Sequence, residues 1–211
     1  MVDFARHRIR SRFEAFVLDA GAGMIHKAHG QAKAGAIGAM SGTIVELGPG
    51  TGVNMRYYAP GVHVIGIEPN PLMHQRLRDA ATTHGLDLEI RTLRGESIEV
   101  GDGEADAVVG SLVLCGVDDS QQVLREVHRV LKPGGTYFFL EHVAAPRGSK
   151  TRTIQSVLFR PHRWLFNGCE ITRDTASVIR AAGFSDVQLT EIDQGIRSGH
   201  VRHFVVGTAI R

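Results

Sequence analysis

From Thr43 onward, short apolar runs alternate with segments whose apolar residues recur every three or four positions. The run Thr43-Ile44-Val45-Glu46-Leu47 is rich in β-branched residues and reads as a buried strand. Val62–Ile67, Leu86–Ile90, Ala105–Leu114 and Thr136–Leu140 predict four more strands. Helical spacing fills two of the gaps between them. One helix is expected over 71–84, with Leu72, Met73, Leu77 and Ala80 on its stripe. Another starts at a cap on Asp119 or Ser120, carries Val123, Leu124, Val127, Val130 and Leu131, and stops at Lys132-Pro133-Gly134-Gly135. Residues 144–170 show no clear period and are expected to be irregular. A helix near Arg173–Ala182 and strands near Val187–Ile192 and His200–Ala209 close the chain. The link Asp193–Gly199 is too short for a parallel crossover, so the last strand should run antiparallel. Near-continuous apolar strands joined by helices imply an α/β fold: a mostly parallel, seven-stranded sheet with helices on both faces and a C-terminal antiparallel strand.

Before that rhythm begins, residues 1–27 place Ile9, Phe13, Phe16, Val17 and Ala20 on helical spacing, with Arg6, Arg8, Arg10 and Arg12 alongside. Residues 28–42 are rich in glycine and alanine and read as a flexible connection or a weak helix. The chain therefore divides into an N-terminal helical segment, 1–42, which would pack on the domain or cover a ligand as a lid, and a single domain, 43–211. At 211 residues, with 43% hydrophobic and 22% charged residues, it has ordinary globular composition. A net charge of +2 gives no reason to expect a nucleic-acid partner. Two cysteines, Cys115 and Cys169, offer neither a disulfide framework nor a zinc spacing, so no metal site is expected. No stretch approaches the roughly 18–20 apolar residues of a membrane span. A cytoplasmic protein is expected, with residues 1–27 as the place for any peripheral membrane contact; oligomeric state is not legible.

The candidate chemistry lies at strand ends, where open α/β sheets bind ligands. After the first strand come Gly48, Gly50 and Gly52 at alternate positions, suited to a tight turn approached closely by a ligand. Glu68 ends the second strand, twenty residues after Gly48, where a carboxylate can accept from both ribose hydroxyls. Gly95-Glu96-Ser97 follows the third strand and could meet an adenine edge. Ser111-Leu112-Val113-Leu114-Cys115 closes the fourth, where a reacting group would lie. The third glycine comes one residue earlier than in a dinucleotide fingerprint, and Glu46 beside it would repel a pyrophosphate. An adenosyl cofactor with a cationic amino-acid end fits better.

Val45-Glu46-Leu47-Gly48-Pro49-Gly50-Thr51-Gly52, Gly66-Ile67-Glu68-Pro69-Asn70, Gly95-Glu96-Ser97 and Leu131-Lys132-Pro133-Gly134-Gly135 together resemble the class I S-adenosylmethionine-dependent methyltransferases, over about residues 41–211. The resemblance implies a Rossmann-like sheet and S-adenosyl-L-methionine as cofactor, leaving as S-adenosyl-L-homocysteine. It assigns Glu46, Gly48, Pro49, Gly50, Thr51, Gly52 and Asn54 to the methionine end and Glu68 and Pro69 to the ribose. Glu96 and Ser97 fall to adenine, and Ser111 and Leu112 complete the set. Leu112–Cys115, Phe139–Ala145 and Gly168–Arg173, together with Glu68-Pro69-Asn70-Pro71, look, more narrowly, like the animal membrane-associated thiol S-methyltransferases. Those proteins carry an N-terminal hydrophobic anchor that is not found in residues 1–27, so integral membrane attachment is not expected from the resemblance.

A thiol acceptor near pH 7 is mostly protonated, so a base or positive field would help it react. His142, after the fifth strand, is the candidate base or positioning group. Cys115, His162 and Trp164 are candidates to line the acceptor pocket. Cys169 reads as structural. The alternatives are N-, O- or C-methylation of a lipid amine, phenol or quinone, and a non-catalytic adenosyl-binding module.

Overall fold

The computed structural model describes residue 23 and residues 26–166, 168–194 and 199–211. The arginine-bearing stretch and most of the expected first helix lie outside the described residues. Where 28–42 was read as a connection or weak helix, an α-helix occupies residues 26–37 (α1). Its Ile37, with Met40 just beyond it, is buried against the sheet.

The strands are β1 Thr43–Leu47, β2 His63–Ile67, β3 Asp87–Arg91, β4 Ala105–Ser111, β5 Leu131–His142, β6 Asp186–Asp193 and β7 His203–Ile210. The helices that follow α1 are α2 His74–Thr83, α3 Ser120–Val130, α4 Lys150–Leu165 and α5 Thr175–Arg180. One sheet runs in the order β3-β2-β1-β4-β5-β7-β6. Only β7 is antiparallel to its neighbours, as the short link requires. The expected Rossmann-like sheet is therefore the observed one.

Alternate strand residues feed two cores, which explains the continuous apolar runs. Val45, Ile65, Val108, Tyr137 and Phe139 face Val123, Leu124 and Val127 of α3 and Ile179 of α5. Ile44, Val64, Val109, Phe138 and Leu140 face Ile37 of α1 and Leu77 of α2. Asp119 caps α3 by accepting from the Gln122 amide at 2.9 Å.

The expectation of an irregular 144–170 is corrected: α4 takes 16 of those residues, capped by Ser149 accepting from the Arg152 amide. Its periodicity is unlike that of a core helix because Ile154, Val157 and Trp164 point outward and Pro161 sits inside it. Among the described residues no helix is long and apolar enough to cross a membrane.

The chain reverses direction across the sheet at β1, whose neighbours are β2 on one side and β4 on the other. Leu47 is level with Ile67 of β2 and Gly110 of β4, and Ser111 is level with Leu140 of β5. This register brings Gly48, Glu68 and Leu112, each following its strand, to one edge with Glu141 near the end of β5. A ligand crevice is expected at such a switch point.

Candidate active site

The turn after β1 is built as its glycines require. Gly48, Gly50 and Gly52 have φ of 54°, 58° and 85°. Side chains disfavour that region, and a Cβ on Gly52 would sit 2.7 Å from the Ala80 Cβ of α2. Glu68 binds this turn directly. Its Oε2 accepts from the Gly50 amide at 2.9 Å and its Oε1 from the Asn70 amide at 2.8 Å, so one buried carboxylate links the ends of β1 and β2.

Beneath the turn, Glu46 is fully buried and accepts from Asn54 Nδ2 at 2.8 Å and Tyr58 Oη at 2.7 Å. Asn54 Oδ1 in turn accepts from Lys33 Nζ at 2.9 Å, and the same ammonium donates to Ser111 Oγ at 2.9 Å. Sequence reasoning missed Lys33. It hides among small residues of α1, although His29, Lys33 and Ile37 at four-residue spacing share one buried face. Burial lowers the Lys33 pKa to about 8, against the pull of the Glu46 and Glu141 carboxylates. Burial likewise raises the Glu46 pKa, against its bonds from Tyr58 and Asn54.

The loop after β4 is held from both sides. Leu112 has φ 62°, the one positive value at a non-glycine among the described residues, and its amide donates to Leu140 O. Such a residue persists only where its surroundings over-determine it. Glu141 supplies part of that constraint: Oε1 accepts from the Val113 and Leu114 amides at 2.9 and 3.0 Å. Arg173 supplies the rest, donating to Leu114 O and Val117 O at 2.5 and 3.0 Å while paired with Glu170 at 2.6 Å. The Glu170 amide donates to Cys115 O at 2.7 Å. Gly168, with φ 106°, lets the strap approach: a Cβ there would lie 3.3 Å from Gly116 O.

These contacts assemble a cluster that sequence spacing concealed. Cys115 Sγ lies 3.5 Å from Cys169 Sγ, and each sulfur is 3.9 Å from His142 Nδ1. Both cysteines are free thiols. Their shared hydrogen bond makes Cys169 the more acidic, and His142 and His162 add to the effect; the same bond, with burial, raises Cys115. Glu141, buried beside them, is pushed up by burial to about 7, and its Oε2 has no partner among the described residues. His142 also packs on Phe204, with ring centroids 4.7 Å apart.

Of the expected pocket residues, Cys115 and His162 are brought to this cluster, with His162 buried at its edge against His200. Trp164 is not. It follows His162 by two helical residues, about 200° around α4, and is 65% exposed. Cys169, read as structural, belongs to the cluster. Glu96 Oε1 accepts from the Asp118 and Asp119 amides, fastening the start of α3, and Ser97 is exposed beside it. Pro49 and Thr51 lie within the glycine turn, and Pro69 follows Glu68 beside it.

A methyltransferase-domain family model matches residues 45–139. Thiol S-methyltransferase TMT1A of Homo sapiens is 38% identical over 172 residues, 80% of this chain and 70% of that protein. Thiol S-methyltransferase TMT1B of Rattus norvegicus is 43% identical over 150 residues, 70% of this chain and 62% of that protein. Among solved structures, an S-adenosylmethionine-dependent methyltransferase from Mesorhizobium loti matches with a TM-score of 0.63 and 20% identity, covering 87% of this chain and 98% of that one. That likeness is one of fold.

The buried Lys33 gives a prediction about stability. Near pH 7.5 both folded and unfolded chains hold its proton. As pH rises through about 8 the folded chain gives the proton up, whereas the unfolded chain keeps it until about 10.5. The unfolded state then binds more protons, so stability should rise with pH. Relative to Lys33→Met, the native protein should gain about 2 kcal/mol between pH 7.5 and 10 in urea unfolding. A difference independent of pH would show that the ammonium is not desolvated in this way.

Proposed function

The chain belongs to the S-adenosylmethionine-dependent methyltransferases, and from that premise we propose that its methyl acceptor is a small thiol. S-Adenosylmethionine supplies a methyl group already activated on a sulfonium, so the protein has to align the two sulfurs and exclude water. The single observation that carries the thiol reading is the position of the Cys115, His142 and Cys169 cluster. It stands at the carboxyl ends of β4 and β5, beside the crevice marked by the glycine turn. The relatives named for thiol S-methylation support the same class of acceptor.

In this reading the cofactor follows the switch point. The turn 48–52 is held tight by left-handed glycines, two of them packed too closely on Val113 and Ala80 to carry a side chain, so that backbone amides face the ligand. Glu68, at the end of β2, takes the ribose, and its bonds to Gly50 and Asn70 hold it in position to do so. Pro69 lies beside it. Gly48, Pro49, Gly50, Thr51 and Gly52 line the methionine end. Glu46 and Asn54 stand with them, Glu46 held by one protein donor on each oxygen, as Glu68 is, with lone pairs left for the ammonium of the methionine portion. Lys33 and Ser111 extend that network, and Lys33 supplies a cation that complements the carboxylate of the methionine portion. Ser97 stays at the adenine side, with Glu96 positioning the loop. Leu112 turns its backbone toward the reacting centre. His142 holds the acceptor or takes its proton, next to a pocket of soft sulfur atoms.

Radiolabelled methyl transfer screened across alkyl thiols, phenols, amines and quinones tests the acceptor. Label should appear in a thioether; transfer only to a phenol, amine or quinone would overturn the thiol reading. For the cofactor, Glu68→Ala should weaken S-adenosylhomocysteine binding by roughly 1–3 kcal/mol through lost charged hydrogen bonds. Unchanged affinity in calorimetry would remove Glu68 from the ribose site.

A further inference from the structure

We propose that Cys115, His142 and Cys169 form a zinc site whose fourth position takes the acceptor thiol. The ligand atoms are two sulfurs and one imidazole nitrogen, all within 4.8 Å of one another. Their separations match the edges of a tetrahedron. With Zn–S of about 2.3 Å and Zn–N of about 2.0–2.1 Å, tetrahedral angles place sulfur about 3.8 Å from sulfur and about 3.6 Å from nitrogen. The observed values are 3.5 Å for the sulfur pair and 3.9 Å for each sulfur to His142 Nδ1. A zinc ion fits at their centre with small side-chain adjustments.

The surrounding contacts favour a preorganised site over an accidental meeting. The three ligands stand on separate segments, each fastened independently of the cluster. Cys115 is fixed through its own carbonyl, which accepts from Glu170, and through the neighbouring Leu114 amide held by Glu141. His142 ends β5, its ring packed on Phe204 and its carbonyl accepting from Thr175 Oγ1. Cys169 precedes the Glu170–Arg173 pair that clamps the loop after β4. Three protein ligands leave the fourth position of a tetrahedron to water or substrate, the ligand count of catalytic rather than structural zinc.

The inference rests on the thiol reading and deepens it. A thiol entering the fourth position loses its proton to solvent and becomes a metal-bound thiolate, a form that zinc favours near neutral pH. The thiolate sulfur then forms a bond to the methyl carbon as the carbon–sulfur bond of the sulfonium breaks, its electron pair remaining on the departing sulfur. The product thioether is a weaker ligand, and the metal is unchanged. His142 is on this account a ligand, with no need to act as a base.

The test uses the reduced full chain, loaded with Zn²⁺ or Co²⁺. About one metal per chain is expected, with thiolate-to-cobalt absorption and the intense visible bands of a tetrahedral site. Cys115→Ser, Cys169→Ser and His142→Ala should each weaken Zn²⁺ binding by at least about 100-fold, while S-adenosylhomocysteine binding shows that each variant is folded. Adding 2-mercaptoethanol should shift the visible cobalt bands of the native chain. Should a variant fail to bind S-adenosylhomocysteine, X-ray absorption of the zinc-loaded native chain decides: two sulfur neighbours at about 2.3 Å support the site. No stoichiometric metal, or binding indifferent to all three substitutions, would overturn it. Thiol methylation at full rate by metal-free protein would also overturn the site while leaving the thiol reading intact. Metal binding without methylation of any thiol would retain a zinc site but contradict its proposed role with the acceptor.

Discussion

The site depends on one constraint: the loop after β4 must be held still in a conformation its own sequence disfavours. Leu112 has a left-handed backbone, and the next residues carry amides and carbonyls that no strand partner satisfies. Glu141 takes two of the amides and Arg173 two of the carbonyls. Both clamps are polar side chains in largely buried surroundings, where an unmade hydrogen bond is costly. Because the clamps come from β5 and from the strap before α5, fixing the loop also fixes His142 and Cys169 against Cys115. Cofactor crevice and sulfur pocket are thus positioned by the same bonds.

Much of this was legible in the chain, for a physical reason. Strands buried on both faces show as unbroken apolar runs, so β1, β2, β4 and β5 stood out, and the glycine turn announced its conformation because little else can adopt it. The antiparallel β7 followed from a link too short to cross the sheet. Helix α4 was not legible. Its apolar residues Ile154, Val157 and Trp164 face outward and Pro161 interrupts its pattern, so it lacks the core-facing stripe by which helices are read. Lys33 escaped notice because a lysine among alanines and glycines looks like a solvated residue, yet α1 turns it inward to Asn54 and Ser111.

The cluster shows the limit most clearly. Cys115, His142 and Cys169 follow one another at intervals of 27 residues, far from any local metal spacing, and only the order of β4, β5 and the segment before α5 brings them together. Of the four stretches that carry the narrow resemblance to thiol S-methyltransferases, Leu112–Cys115, Phe139–Ala145 and Gly168–Arg173 meet at this place. The carboxylate of Glu46, expected to face the cofactor, already accepts one hydrogen bond on each oxygen, from Asn54 and Tyr58, and keeps further lone pairs for a ligand donor.

The central claim is that the cofactor crevice and the sulfur pocket are one site. A crystal structure of the chain with S-adenosylhomocysteine tests it most directly. The homocysteine sulfur should point past Leu112 toward the cluster of Cys115, Cys169 and His142, with the acceptor's place between the two. A product sulfur directed away from that cluster, or separated from it by packed side chains, would contradict the account.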